Sequence, residues 1–206
     1  MGPQRPRIGA IVLAAGASTR LGTPKQLIEH EGIPLVRRAA QAAHDAGADP
    51  VIVVLGDDSD RIRDALSGLE GVTTVVNHNW QSGIASSLAA GISAFAADTS
   101  CDAALVTLSD QPLVNAAMLE RLIEQFAPGR SIIASSYDGV LGVPAVFGRE
   151  HFEELVSLTG DKGAGQWIRA RAGEVTSIPL NSASLDVDTA SDVERLRGSS
   201  AEGQQR

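Results

Sequence analysis

Residues 8–25 read IGAIVLAAGASTRLGTPK, a short apolar run followed by a loop rich in small residues. The run over 8–13 is typical of a strand buried on both faces, because aliphatic residues follow one another without alternation. Small residues let the backbone approach a ligand, and consecutive N–H groups in such a loop can bind phosphate oxygens. The loop also carries Arg20, a planar fork of donors, and Lys25, a compact movable charge. We therefore predict a phosphate-binding loop, with an ordinary βα loop as the alternative.

The spacing of the glycines excludes two common nucleotide-binding loops. Five residues separate Gly16 from Gly22, where a Walker loop has four, and no lysine follows Gly22. The Gly-x-Gly-x-x-Gly pattern of dinucleotide-binding folds is also missing from this loop. Of the 17 basic residues only Lys25 and Lys162 are lysines, and each belongs to a glycine-containing loop. Both are candidate contacts for a phosphate.

Outward from this loop, strand-like and helix-like segments alternate. The patterns predict strands over 8–13, 51–55, 72–76, 103–108, 131–135 and 174–178. They predict helices over 35–46, 59–66, 82–97, 115–126, 149–158, 164–172 and 190–197. Strands separated by helices of this length favour an α/β fold whose mostly parallel sheet is covered on both faces. Residues 136–147 break the rhythm with a Tyr-Asp-Gly turn and predict a small β-excursion or hairpin.

Length and composition indicate one globular domain over 8–197, with a loose arm at 1–7 and a polar tail at 198–206. The net charge of −8 argues against a nucleic-acid partner. Cys101 is the only cysteine, so an intrachain disulfide is excluded. The apolar runs are too short to span a bilayer, and no leader pattern opens the chain. We expect a cytoplasmic protein with no membrane partner.

Two acidic segments are candidates for binding a divalent cation. Asp110 follows the predicted strand 103–108 and should lie at the carboxyl edge of the sheet, where ligands of open parallel sheets bind. Near the C-terminus, Asp186 and Asp188 are two residues apart and would lie on the same side of an extended segment. Mg²⁺ is usually held by one or two carboxylates together with phosphate oxygens. The alternatives are a turn aspartate at 110, and helix capping by Asp188 and Thr189.

The first loop resembles the Leu-Ala-Ala-Gly-x-Ser-x-Arg-x-Gly-x-x-Lys-x-Leu signature of Rossmann-like nucleotidyltransferases. More narrowly it resembles the MobA-like molybdenum cofactor cytidylyltransferases. The matching positions are Leu13, Ala14, Ala15, Gly16, Ser18, Arg20, Gly22, Lys25 and Leu27. The resemblance implies a three-layer Rossmann-like nucleotidyltransferase fold whose loop wraps a triphosphate. Leu21, where the family often has Met, is a departure in packing only.

The resemblance also implies roles for individual residues. Arg20, Lys25 and Asp110 would be catalytic, and Asp110 and Asp188 would hold Mg²⁺, with Asp186 as the other candidate for the second ligand. The segment 77–88 resembles the family's Asn-x-x-Trp-x-x-Gly-x-x-x-Ser-Leu, which adds base-side residues. The full nucleotide-binding set implied in this way is Leu13, Ala14, Ala15, Gly16, Ser18, Arg20, Lys25, Gly83, Ser87 and Asp110.

Two further segments match the family less completely. Residues 160–165 resemble its Gly-Asp-x-Gly-Ala-Arg stretch, but Gly165 stands where Arg is common. This departure weakens a role for the segment in holding a pterin substrate and leaves Lys162 as a weak candidate contact. Residues 186–192 resemble its Asp-x-Asp-Thr-Pro-x-Asp segment, with Ala190 in place of Pro.

The activity implied by the resemblance is transfer of CMP from CTP to molybdopterin, giving the cytosine dinucleotide cofactor and pyrophosphate. Ala15 and the Asp-Gln-Pro run at 110–112 favour CTP over GTP within this family. An acceptor molybdoenzyme is a possible protein partner. The alternatives are a guanylyltransferase, another NTP transferase of the same fold with a different phosphorylated acceptor, and a non-catalytic nucleotide-binding module.

Overall fold

The computed structural model describes residues 6–97 and 100–203 as an α/β fold built on a seven-stranded sheet. The strands are β1 (Ile8–Ala14), β2 (Glu29–His30), β3 (Ile33–Pro34), β4 (Val51–Leu55), β5 (Val72–Val76), β6 (Ala103–Leu108), β7 (Ile132–Tyr137), β8 (Val140–Gly148) and β9 (Thr176–Pro179). The main sheet has the order β5-β4-β1-β6-β8-β7-β9, and β2 pairs with β3 outside it. In the main sheet β8 alone runs antiparallel to its neighbours.

Helices cover both faces of this sheet. They are α1 (Leu35–Asp45), α2 (Ser59–Ala65), α3 (Ile84–Ala96), α4 (Ala116–Ile123), α5 (Phe152–Val156), α6 (Ala164–Arg169) and α7 (Ala190–Gly203). Alternate residues of β1 enter different cores: Ala10 and Val12 pack with α1, α2 and α4, whereas Ile11 and Leu13 pack with α3, α5 and α6. Successive side chains of a strand point to opposite faces, so β1 must be apolar throughout. This explains its unbroken apolar run and confirms the predicted three-layer α/β architecture.

The segment predicted as a β-excursion or hairpin is part of the main sheet. β7 and β8 form a hairpin whose turn places Asp138 and Gly139 at φ values of 51° and 75°. β8 inserts between β6 and β7, and the register of the hairpin shifts between Ala134 and Ser135. Because β8 is antiparallel to β6, its first residues lie at the carboxyl edge of the sheet, next to the residues that follow β6.

The largest departures from the predicted elements lie at helix ends and in short strands. The predicted helix 82–97 begins at Ile84, after a 3₁₀ turn over Trp80–Ser82. α7 continues to Gly203, past the predicted helix end at 197, and so includes residues 198–203 of the segment predicted as a polar tail. β2 and β3 were not predicted, since two residues each are too short for a periodic pattern. Residues 1–5 of the predicted arm lie outside the described residues.

Candidate functional site

A buried glutamine holds the loop that follows β1. The Gln26 side chain, 1% exposed, donates from Nε2 to the carbonyl oxygens of Ala14 at 2.9 Å and Gly16 at 2.8 Å. Ser18, at a φ of 53°, accepts a hydrogen bond on Oγ from the Lys25 N–H at 2.9 Å. These bonds tie both ends of the loop together, so its shape is set before any ligand binds.

The same contacts leave a run of donors available. Within the described chain, the backbone N–H groups of residues 16–20 have no hydrogen-bond acceptor, whereas those of Leu21 and Gly22 donate to the Ser18 carbonyl oxygen. Consecutive free N–H groups in a turn form a site for anionic oxygens. The loop therefore has the donor arrangement that a polyphosphate requires.

Beside the loop, four charged side chains from distant parts of the chain meet. The Lys25 ammonium group binds the Asp110 carboxylate and lies 2.8 Å from Asp188 Oδ1. Arg20 Nη2 lies 2.8 Å from Asp188 Oδ2. The side chains of Lys25 and Asp110 are only 16% and 15% exposed, so their interaction is poorly screened by water. The structure thus brings together Arg20, Lys25, Asp110 and Asp188, the residues for which catalytic and metal-binding roles were predicted.

These contacts shift the pKa of the participating groups. The hydrogen bond from Lys25 holds the pKa of Asp188 below its usual value, opposed by partial burial and supported by Arg20. Burial lowers the pKa of Lys25, but the charges and hydrogen bonds of Asp110 and Asp188 outweigh it and the net pKa is raised. Lys25 is therefore an ammonium ion and Asp188 a carboxylate at neutral pH.

Asp186 lies at the same cluster and differs in its protonation. Burial of its carboxyl group, followed by the nearby charge of Asp110, raises its pKa to about 6. The residue as a whole is exposed, so only its carboxyl group is partly shielded from water. Since Asp188 rather than Asp186 binds Lys25 and Arg20, the geometry favours Asp188 as the partner of Asp110 around a shared cation.

The C-terminal segment is tied to the edge of the sheet through the Asp-Gln-Pro run. The Val187 N–H donates to the Asp110 carbonyl oxygen at 2.9 Å. The buried Gln111 donates from Nε2 to the Ala183 carbonyl oxygen at 2.9 Å. Gln111 therefore positions the segment that carries Asp188, and sequence reasoning had used it only as a hint of base preference.

A helix cap fixes the position of Asp188 itself. Asp192 Oδ2 accepts hydrogen bonds from the backbone N–H groups of Asp188 at 3.1 Å and Thr189 at 2.7 Å. The Thr189 hydroxyl donates to the same oxygen at 2.8 Å, and the pKa of Asp192 is lowered by this bond and by Arg195. The capping function proposed for Asp188 and Thr189 is thus carried by the side chains of Asp192 and Thr189, and the Asp188 carboxylate remains directed at Lys25.

A cavity of about 320 Å³ adjoins the charged cluster. Its lining joins the first loop to the start of α3 and comprises Leu13, Ala14, Ala15, Gly16, Ala17, Lys25, Gln26, Trp80, Gln81, Gly83, Ile84, Ser87, Leu108, Ser109 and Asp110. Next to it, a cleft of about 130 Å³ is lined by Gly16, Ser18, Thr19, Arg20, Lys25 and Asp188. All of the residues predicted to bind nucleotide therefore line one of two adjoining spaces.

The α3 side of the cavity depends on close backbone contacts. Gly83 has a φ of 107°, and a Cβ atom there would lie 2.3 Å from the Gly160 carbonyl oxygen. Asn77, a buried residue that prediction had not singled out, donates from Nδ2 to Ser86 Oγ at 2.8 Å and Ser87 Oγ at 3.0 Å. These contacts hold the Ser87 hydroxyl at the cavity wall.

Lys162 does not join the site. The residue is exposed in the turn before α6 and is not among the residues that line either space. Its segment contributes through the backbone instead, since the Gly160 carbonyl oxygen accepts from the Ala85 N–H at 3.1 Å. The weak prediction of a Lys162 contact therefore gains no support from the geometry.

The donor set is suited to a divalent cation that arrives with phosphate. Asp110 Oδ1 is a buried oxygen without a hydrogen-bond partner among the described residues, and Asp110 and Asp188 already converge on one positive charge. Two carboxylates are too few for an all-protein site, and no group of three or more His, Cys, Asp or Glu side chains in the described ranges could hold a metal by itself. This pattern fits a hard divalent cation that takes its remaining oxygens from substrate and water.

Comparisons with known proteins show the family of the chain. Residues 10–175 match the family model described as the MobA-like NTP transferase domain. The chain is 36% identical over 203 residues to nicotine blue oxidoreductase of Paenarthrobacter nicotinovorans, covering 93% of this chain and 97% of the relative. It is 36% identical over 141 residues to the bifunctional protein GlmU of Kineococcus radiotolerans, spanning only 28% of that protein.

Solved structures extend the likeness over nearly the whole chain. The crystal structure of Rv0371c from Mycobacterium tuberculosis H37Rv is 32% identical with a TM-score of 0.77, covering 94% of this chain and 98% of that one. A complex of Rv0371c with manganese is 28% identical, with a TM-score of 0.73 and coverage of 94% and 98%. In the described ranges no helix is both long enough and apolar enough to cross a membrane. The chain is a nucleotidyltransferase that belongs to the MobA-like NTP transferase family.

Proposed function

We propose that the chain transfers CMP from CTP to the terminal phosphate of molybdopterin with Mg²⁺, giving the cytosine dinucleotide cofactor and pyrophosphate. One observation carries the proposal: Lys25 lies where Asp110, Asp188 and a loop with free N–H groups converge. The Lys25 ammonium group lies between two carboxylates. When a triphosphate and its metal ion bind, the metal ion would take the carboxylates and Lys25 would move to the phosphate oxygens. The acceptor is the part of the proposal that depends most on the family resemblance.

The reaction needs no nucleophile from the protein. An oxygen of the acceptor phosphate attacks the α-phosphorus of CTP, and the bond between that phosphorus and the oxygen bridging to the β-phosphate breaks. Catalysis is then positioning and neutralisation of charge. Lys25 and Arg20 would leave Asp188 for the phosphate oxygens, while the N–H groups of 16–20 bind the leaving pyrophosphate. Mg²⁺, held by Asp110 and Asp188, would neutralise the charge that develops on those oxygens.

The preference for CTP rests on the family resemblance at Ala15. Ala15 is among the residues that line the cavity and is 5% exposed. Its methyl carbon faces Gly56, where an added Cβ atom would lie 2.8 Å from it. Gln111 is bonded to the Ala183 carbonyl oxygen, so the Asp-Gln-Pro run adds no contact to the base in this structure.

A pyrophosphate-release assay tests the proposal. Purified protein is incubated with molybdopterin, Mg²⁺ and each of CTP, GTP, ATP and UTP, and a parallel series uses Mn²⁺. We expect turnover with CTP at a kcat/KM at least about tenfold above that of GTP, which corresponds to roughly 1.4 kcal/mol. Preference for GTP would overturn the nucleotide assignment, and turnover only with another phosphorylated acceptor would overturn the pterin.

A second candidate, suggested by one relative, is an oxidoreductase that acts on nicotine blue. The observation in its favour is the 36% identity across 97% of nicotine blue oxidoreductase. Against it, the loop after β1 lacks the glycine spacing of the usual dinucleotide sites. Thermal shift with NADH and NADPH beside CTP and Mg²⁺ separates the two, since a ligand that binds the folded state raises the melting temperature. Stabilisation by a nicotinamide cofactor alone would favour the oxidoreductase.

A further inference from the structure

The carboxyl edge of the sheet continues beyond the nucleotide cavity. Along this edge the loop after β1 is followed by Asp110 after β6, and then by the start of β8 and the end of β7. No residue of β8 or α6 is among those that line the nucleotide cavity. The surface around Leu141, above the buried Gly142, therefore lies on the far side of Asp110 from the triphosphate loop.

Hydrogen bonds connect this surface directly to the charged cluster. The Val143 carbonyl oxygen accepts from Tyr137 Oη at 3.1 Å and, more weakly, from Gln111 Nε2 at 3.5 Å. The Tyr137 hydroxyl lies against Gly142, where an added Cβ atom would be 2.6 Å from it. Gln111 directly follows Asp110 in the chain. The Tyr137 hydroxyl is therefore linked to the proposed metal ligand through the Val143 carbonyl oxygen and Gln111.

Arg169 reaches onto the same surface from the end of α6. Its Nη1 donates to the Leu141 carbonyl oxygen at 3.3 Å. A Cβ atom on Gly165 would lie 3.2 Å from this nitrogen and 4.0 Å from the Gly142 Cα. The side chain thus folds back by one helical turn across Gly165, and its guanidinium group lies at the start of β8.

The guanidinium group retains free binding capacity. Among the described residues no carboxylate lies within 4.0 Å of Arg169, and the acceptor of its hydrogen bond is a neutral carbonyl oxygen at the long end of the hydrogen-bond range. Its charge acts on the neighbouring site: burial and then Asp186 raise the pKa of Tyr137, and Arg169 opposes them. A guanidinium group presents five N–H donors in a fork that matches an oxyanion.

We propose that Arg169 is the anion-binding residue of the acceptor subsite, and that it contacts a phosphate group of the second substrate across the partly exposed surface at Leu141 and Gly165. The inference rests on the proposed function, because it assumes a phosphorylated acceptor. In an in-line transfer the attacking and leaving oxygens lie on opposite sides of the α-phosphorus. Pyrophosphate leaves toward the loop after β1, so the acceptor must approach from the side of β8.

Steady-state kinetics test this role with matched variants. We expect Arg169→Gln to raise the KM for molybdopterin at least about tenfold and to leave the KM for CTP within about twofold. Arg169→Lys should lie between, because it keeps the charge and loses the fork. Arg121→Gln, which removes an exposed arginine of α4, should match the wild type. An unchanged molybdopterin KM in Arg169→Gln, or an equal rise in both KM values, would overturn the proposal.

A second measurement separates this inference from the choice of acceptor. The triphosphate loop is first saturated with a non-hydrolysable CTP analogue and Mg²⁺, and inorganic phosphate is then titrated while amide signals are followed by NMR. We expect a phosphate site near β8 in the wild type, weakened at least about tenfold in Arg169→Gln. If this holds but molybdopterin is not turned over, the acceptor named above is wrong and the subsite stands. Equal phosphate binding by both proteins overturns the subsite.

Discussion

Lys25 and Asp188 lie 163 positions apart in the chain, and Lys25 Nζ is 2.8 Å from Asp188 Oδ1. Lys25 also binds Asp110, which follows a different strand. One ammonium group therefore joins the first loop, the end of β6 and the segment before α7. The Asp192 cap and the Gln111 side chain hold the segment before α7 in place. Backbone contacts as well as charge therefore fix the position at which Lys25 and Asp188 meet.

Replacing Lys25 should impair catalysis far more than folding. In Lys25→Ala the triphosphate loses a charge-assisted contact, and removal of one such group typically lowers kcat by about 10² to 10³. The circular dichroism spectrum should be unchanged, since the side chain contributes little to either apolar core. Arg121→Ala removes an exposed positive charge and is the control for net charge. An unchanged kcat/KM in Lys25→Ala would remove Lys25 from the mechanism.

Gln26 should govern the shape of the loop. Gln26→Glu replaces two N–H donations to the carbonyls of Ala14 and Gly16 with a buried carboxylate that cannot donate when ionised. Leaving buried acceptors without partners costs about 1–3 kcal/mol each, so the free energy of unfolding should fall by an amount of this order. The KM for CTP should rise as well, because the N–H groups lose their arrangement. Gln166→Glu, at an exposed position of α6, is the control, and equal urea midpoints for both variants would contradict this role.

The local pattern predicted the fold because each major element carries its own signal. The apolar run of β1 needs no knowledge of its neighbours, since burial on both faces already requires it. The predicted helix 115–126 begins at Asn115, a residue type favoured at helix starts, and the Asn115 side chain accepts from the Met118 N–H as an N-cap. Nothing comparable marks residues 198–203, whose polar sequence gives no apolar face although α7 continues through them.

Contacts between distant segments account for what could not be predicted. Gln26 is a polar residue in a polar loop, and only the folded chain shows that it is buried under two carbonyl groups. Arg169 acquires its position because Gly165 leaves room across one helical turn and β8 begins alongside. Asp110 and Asp188 could be predicted because one follows a strand and the other precedes a helix. Residues at such positions lie along the carboxyl edge of the sheet, where ligands bind.

His30 should make stability depend on pH. Burial lowers its pKa, Arg38 lowers it further, and the charge of Glu31 opposes them. With a folded-state pKa below the unfolded value of about 6.5, the unfolded chain binds the proton more readily. Stability should therefore be full above about pH 6.5, decrease as the pH falls below it, and level off below the folded-state pKa. Urea unfolding of the wild type and His30→Gln between pH 8 and pH 5 measures this, and parallel curves would show that His30 contributes nothing.

The carboxylates of Asp110 and Asp188 should act as one unit. If both hold the same Mg²⁺, Asp110→Asn and Asp188→Asn should each lower kcat/KM on the order of 10²-fold or more, because charge stabilisation by a metal is worth several kcal/mol. The double variant should lose far less than the product of the two single losses, since one ion is lost either way. In the absence of nucleotide the melting temperature of Asp188→Asn should fall slightly, because the mostly buried Lys25 loses one of its two carboxylate partners, while the exposed pair with Arg20 contributes little. The rise in melting temperature on adding CTP and Mg²⁺ should shrink in all three variants.

Asp64→Asn, an exposed acid of α2, controls for net charge, and Asp186→Asn discriminates between the two candidate ligands. If Asp186→Asn abolishes turnover while Asp188→Asn retains it, the second ligand is Asp186 and the pairing of Asp110 with Asp188 is wrong.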